Sequence, residues 1–125
     1  MCGIAGILNT SEEASPDVNT IMKMVNELRH RGPDDHGYYT DEHIGLGHAR
    51  LSIIDISGGH QPIHNTNKNI WIVFNGEIFN YFELRKELLD KGYRFYTQTD
   101  TEVIVHLYDE YGKDFVNKLN GQFAI

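Results

Sequence analysis

Residues 1–8 read MCGIAGIL, a short apolar run with glycines at 3 and 6, and this is the pattern of a buried strand. It sets Cys2 directly behind the initiator Met1. Cys2 is the single cysteine of 125 residues, which excludes an internal disulfide framework and leaves two readings open. One is a buried thiol acting as a small hydrophobe. The other follows from position: the small side chain permits trimming of Met1, after which one residue carries both a thiol and a free α-amine. The two groups titrate within about one unit of each other near neutrality. The amine can therefore take the thiol's proton, directly or through a water, so that nucleophile and base arrive on one residue.

Outward from that run, strand and helix signals alternate, and neither an internal repeat nor a linker is visible. Residues 16–30 place Val18, Ile21, Met22, Val25 and Leu28 at helical spacing behind Ser15-Pro16, and Gly32-Pro33 ends the helix. Strand-like stretches follow at 37–39 and 44–56, the second with a break near Arg50. Residues 57–69, SGGHQPIHNTNKN, read as an exposed loop. A strand is expected at 70–74 and another at 93–96. Asn80 with Glu83 and Thr99 with Glu102 read as capping boxes for two helices, closed by Gly92 and Gly112. A short helix with Phe115 and Leu119 leads to the apolar run QFAI at 122–125, which looks like a strand cut in its middle. The expectation is that the chain is the front part of a longer protein.

One domain of ordinary globular composition is implied, with 40% hydrophobic and 23% charged residues. A formal charge of -7 argues against a nucleic-acid binder, which needs clustered Lys and Arg. The longest apolar run is far short of a membrane helix of roughly 20 residues, and the start lacks the positive region of a signal peptide. A cytoplasmic protein is expected.

Thiolate attack on a carboxamide creates a tetrahedral oxyanion, which needs donors. Asn75-Gly76 offers a side-chain amide and a backbone N–H. The same dipeptide, in WIVFNGEIFNY, is also a strong hairpin signal that fits a type I′ turn. Arg50 is the candidate to grip a substrate carboxylate with its guanidinium fork, set against the usual fate of a solvated arginine. Glu77 and Asp100 are candidates for holding a substrate ammonium. Otherwise Asp100 is a first-turn acid favoured by the helix dipole, and Glu77 a solvent-facing turn residue. Among seven histidines, His60 and His64 are four apart, but Pro62 interrupts any helix that would align them. With no CxxC or HExxH spacing, no metal site is expected. No phosphate-cradling glycine loop of Walker or Rossmann spacing is present.

Taken together, these residues resemble the glutaminase domain of the asparagine synthase family, within the class II glutamine amidotransferases. The resemblance spans essentially the whole chain and rests on six motifs in order. They are MCGIAGIL at the start, RHRGPDDHG at 29–37, LGHARLSIIDISGGHQPI at 46–63, FNGEIFNYFELR at 74–85, TDTEVIVHLYDEYG at 99–112 and LNGQFAI at the end. It implies an α+β fold of the N-terminal-nucleophile hydrolase type, an αββα four-layer sandwich of two antiparallel sheets between helices. On this resemblance residues 1–125 form the N-terminal part of a type-2 glutamine amidotransferase domain, which lacks the rest of its fold. Such an incomplete sandwich is expected to be poorly stable and prone to aggregate through unpaired sheet edges.

The resemblance also assigns roles. Cys2 becomes the nucleophile once Met1 is removed, and Asn75 and Gly76 form the oxyanion hole. Arg50 binds the glutamine carboxylate, with backbone groups of Leu51, Ser52, Ile53 and Ile54 lining the same pocket. Glu77 and Asp100 hold the glutamine α-amine, while Arg31 and Asp34 help order the site without an assigned chemical step. The implied activity is hydrolysis of glutamine to glutamate and ammonia, as the ammonia-supplying half of ATP-dependent asparagine synthesis from aspartate. An amidotransferase with another acceptor, from exopolysaccharide or secondary-metabolite pathways, and a non-catalytic remnant of the fold are the alternatives. The implied partners are glutamine, a synthetase domain on the same full-length chain, and, for the full-length protein, a second copy in a homodimer. No cofactor is expected in this segment, and ATP with Mg2+ is expected in the synthetase domain.

Overall fold

The computed structural model describes residues 1–11, 14–52 and 59–125. The continuation of the strand expected at 53–56, and the pocket contacts expected of Ile53 and Ile54, lie outside these residues. Strands β1 (Gly3–Leu8), β2 (Asp35–Thr40) and β3 (Ile44–Arg50) form an antiparallel sheet in the order β1-β3-β2. Two antiparallel ribbons follow. One pairs β4 (Ile63–His64) with β5 (Trp71–Ile72), and the other pairs β6 (Asn75–Ile78) with β7 (Gly121–Ala124). Helix α1 (Val18–Glu27) packs on the three-stranded sheet. Helices α2 (Tyr81–Asp90) and α3 (Asp100–Tyr111) pack on each other, with α3 against β4, β5 and β6. The chain is thus α+β, with antiparallel sheets lying between helices.

Alternation along β3 decides what each face carries. Gly45, Gly47 and Ala49 turn toward α1, where a Cβ on Gly47 would stand 2.5 Å from Val25 and one on Gly45 2.7 Å from Ile21. Small residues here let the helix sit close to the sheet, over a core of Ile21, Val25 and Ala49. The intervening residues, Leu46, His48 and Arg50, turn inward toward the ribbons. Opposite them in register lie Tyr39, Gly37 and Asp35 on β2. Tyr39 stacks on Trp71 of β5 with ring centroids 4.1 Å apart, which joins the two sheet layers. The larger core, including Phe74, Ile78, Leu88, Ile104 and Leu107, lies on the ribbon side beneath α2 and α3.

Several local expectations are corrected. Helix α1 is capped by Asp17, whose carboxylate accepts from the N–H groups of Asn19 and Thr20, and not by Ser15. Met22 lies about 100° round the helix from Ile21 and is exposed, while Met24 takes the inward place. Asn75-Gly76 is no hairpin turn: β5 and β6 pair with different partners, and neither residue has the positive φ that a type I′ turn requires. Asn80 caps nothing with its side chain, which donates to the Lys118 carbonyl and accepts from Asn120 N–H. Residues 93–96 are not a strand, because Glu102 takes the N–H groups of Tyr96 and Thr97. Within the stretch read as an exposed loop, Gly59, Gln61, Ile63 and Asn65 are all buried.

Candidate functional site

The register of β1 on β3 pairs Gly3 with Ala49. One step further, Cys2 comes level with Arg50 on the inward face, since residues opposite one another share a face. The sulfur is held by the next residue of the same segment. Leu51 N–H donates to Cys2 Sγ at 3.3 Å, and the Leu51 carbonyl lies 3.6 Å from it. Arg31 Nε donates to the Cys2 carbonyl at 3.0 Å, and so ties the first residues to the loop after α1. Asp34 braces the same corner: its N–H donates to the Arg50 carbonyl, and its carboxylate accepts from Ser52 N–H at 2.8 Å. Arg31 and Asp34 therefore fix backbone at positions 2, 50 and 52.

A cleft of about 390 Å³ opens between the two sheet layers, and its lining includes Cys2, Arg50, Leu51, Asn75, Gly76, Glu77 and Asp100. This volume suits a small molecule. Met1 lies at its mouth, 74% exposed. Of the residues picked out in the sequence, Ser52 does not line the cleft, and Ile53 and Ile54 are not described. The lining residues that sequence reasoning did not assign to the site are Gly59, Gln61, Phe74, Thr99, Thr101 and the β7 residues Gln122, Phe123 and Ala124. No local pattern in HQPIH marks Gln61 as buried.

Strand β6 brings the potential oxyanion donors to the cleft. Phe79 N–H donates to Asn120 on the β7 side, whereas Ile78 N–H donates to Asp100 Oδ2 at 3.0 Å on the other. Successive amides in a strand point to opposite edges, so the Gly76 N–H faces the same way as that of Ile78, away from β7. Gly76 also has a packing reason to lack a side chain. A Cβ there would stand 2.2 Å from the Gln122 carbonyl oxygen.

Charge is arranged in two places. Arg50 is 6% exposed, and Asp35 faces it across the ladder. Burial pushes the Asp35 carboxyl up, but the hydrogen bond and charge of His60, then the His36 amide and last the charge of Arg50, bring it below the ordinary value. Asp100, 5% exposed at the start of α3, is shifted the other way. Burial raises it, against the lowering effect of the Ile78 amide, and the charge of Glu77 adds to the rise. A buried carboxylate held in this way gains from a cationic ligand. The cleft is therefore lined by a cation, an anion and a thiol, with the Gly76 N–H turned away from β7. Among the described residues, no group of three or more His, Cys, Asp or Glu is placed to hold a metal ion, and no helix is long and apolar enough to cross a membrane.

The chain is similar to several known proteins. An asparagine synthetase [glutamine-hydrolyzing] 1 of Bacillus subtilis is 48% identical over 99% of this chain, and one of Arabidopsis thaliana is 45% identical over 99%. An asparagine synthetase [glutamine-hydrolyzing] 2 of Oryza sativa is 42% identical over the same share. The chain spans about a fifth of the length of these relatives. All of residues 1–125 match the family described as the glutamine amidotransferase domain, and the chain belongs to that family.

Proposed function

We propose that the chain hydrolyses glutamine to glutamate and ammonia, with Cys2 as nucleophile after removal of Met1. The supporting observation is the cleft itself, in which Cys2, Arg50 of β3, Asn75, Gly76 and Glu77 of β6 and Asp100 of α3 meet. Arg50 takes the α-carboxylate of glutamine, and Asp100 with Glu77 takes its α-ammonium. These grips set the side-chain amide over the sulfur. The freed α-amine of Cys2 accepts the thiol proton as Sγ attacks the amide carbon. The resulting oxyanion is met by the Asn75 side-chain amide and the Gly76 N–H. Collapse breaks the C–N bond, the proton leaves with ammonia, and a thioester remains. Water, deprotonated by the same amine, then cleaves the thioester to glutamate and restores the thiol. The relatives' names support a further step, delivery of the ammonia to asparagine synthesis, which the family resemblance assigns to a synthetase domain of the full-length protein using ATP and Mg2+.

The test uses the intact protein. Cys2→Ala should reduce ammonia release from glutamine by at least about a thousandfold, while synthesis from free ammonia survives. Protein shown by mass to retain Met1 should be equally inactive, because its Cys2 nitrogen is tied in a peptide bond. Glutaminase activity in either form would refute the assignment.

A further inference from the structure

Phe74 sits between β5 and β6, directly before Asn75, and its backbone is held on both sides by buried side chains. His48 Nε2 meets the Phe74 carbonyl at 3.1 Å, and Phe74 N–H donates to Gln61 Oε1 at 2.7 Å. Gln61 Nε2 donates in turn to Thr101 Oγ1 at 3.4 Å, at the start of α3. His48 is 1% exposed and Gln61 6%. A carbonyl only accepts, so the His48 ring carries its proton on Nε2. Burial, the largest influence, holds this imidazole down to about 4, and His48 is a neutral donor near pH 7. Gln61 has a single consistent orientation, because turning its amide over would set two donors, its own NH2 and the Phe74 N–H, against each other.

The Phe74 carbonyl and the Asn75 N–H belong to one rigid peptide plane. His48, on the strand that carries Arg50, fixes that plane; Gln61, tied to the helix that starts with Asp100, fixes the plane before it. We propose that His48 and Gln61 are positioning residues for the oxyanion site, holding Phe74 from opposite sides and so setting where the Asn75 amide and the Gly76 N–H point. The proposal rests on the glutaminase reading above. It ties the direction of the oxyanion donors to the two elements that carry Arg50 and Asp100, which grip the α-carboxylate and the α-ammonium of the substrate. Donors of this kind act on charge that develops only in the transition state, so displacing them lowers kcat and spares KM. Loss of a buried hydrogen bond with a purely structural role would lower stability without that split.

Gln61→Met and His48→Leu remove the bonds at similar volume. Gln61→Glu keeps an acceptor toward Phe74, and His48→Gln keeps a donor at the Nε2 position. In the intact protein, steady-state hydrolysis of L-glutamine is compared with inhibition by glutamate γ-semialdehyde. Addition of the Cys2 thiol to that aldehyde gives a tetrahedral hemithioacetal with its oxygen in the oxyanion position. The first pair should lose about ten- to hundredfold in kcat, with KM within about twofold and aldehyde affinity falling in parallel with kcat. The second pair should recover most of both. Unchanged kcat in folded Gln61→Met, or a loss of kcat with aldehyde affinity intact, overturns the proposal. If Gln61→Met does not fold, Thr101→Val decides, since it removes only the outer anchor: the same pattern at smaller size supports the proposal, and an unchanged kcat overturns it. A wild-type protein free of Met1 that releases no ammonia overturns the glutaminase reading and this proposal with it, whereas an active wild type with indifferent variants overturns this proposal alone.

Discussion

Cys2 and Arg50 stand on a sheet whose outer core is small, Ile21, Val25 and Ala49 beneath α1, whereas Asn75, Glu77 and Asp100 stand beside a cluster of eleven buried apolar residues among those described. The first region is held by continuous ladders on both sides of β3 and by glycines that admit the helix. The second has short ribbons, and its geometry comes from side-chain volume and from side chains bonded to backbone, as at Asp100, Gln61 and Glu102. The first region should therefore be hurt by added volume and the second by removed volume.

Leu107→Ala tests the second half of that statement. Leu107 is fully buried, and the cavity should cost about 2–5 kcal/mol, read as a fall in the denaturation midpoint of the intact protein. An unchanged midpoint would break the comparison. Arg50→Lys tests whether the first region serves binding. With the bidentate fork gone, the loss of about 1.5–3 kcal/mol should appear as a ten- to hundredfold rise in KM for glutamine and little change in kcat. A fall confined to kcat would remove Arg50 from its assigned role. Gly47→Ala adds one methyl where Val25 stands 2.5 Å away, and should destabilise by about 1–3 kcal/mol; neutrality would mean that the helix is not tightly seated.

The smallest effect is expected at Asp100. An acid whose pKa is raised by folding binds its proton more tightly in the native state. Its contribution to stability is thus intact below the ordinary value of 3.8 and is lost as pH climbs through the raised native value. Asp100→Asn should keep or slightly raise the melting temperature at neutral pH, with the difference vanishing in acid, while KM for glutamine rises. A melting temperature that falls at neutral pH and recovers in acid would reverse the sign of the argument.

Much of this was legible in the residues. The apolar run after Cys2, the 3.6-residue spacing of Ile21, Val25 and Leu28, and the Thr99 cap report on neighbours close in sequence, and they appear as β1, α1 and the start of α3. The meeting of Cys2, Arg50, Asn75, Glu77 and Asp100 in one cleft followed only from resemblance, since no local pattern joins residues so far apart. What misled was chemistry satisfied at a distance. Asn80 looks like a cap until Lys118 and Asn120 claim its side chain, and residues 93–96 look like a strand until Leu88 takes the Tyr93 amide and Glu102 those of Tyr96 and Thr97. Gln61 was passed over because a buried amide and a solvated one look the same in a sequence, and only the partners at Phe74 and Thr101 distinguish them.

The two tracks of β3 bear on how such a chain can change. Its odd-numbered residues are small and meet α1, while its even-numbered ones turn inward, His48 to the Phe74 carbonyl and Arg50 to the cleft. Substitutions on either track can accumulate separately, so helix fit and substrate grip can drift without consulting each other. Insertions and deletions have no such freedom. One residue gained or lost between 44 and 49 would exchange the tracks, press the guanidinium against Val25 and leave alanine facing the ligand. Length polymorphism should therefore be absent from this strand even where its composition varies.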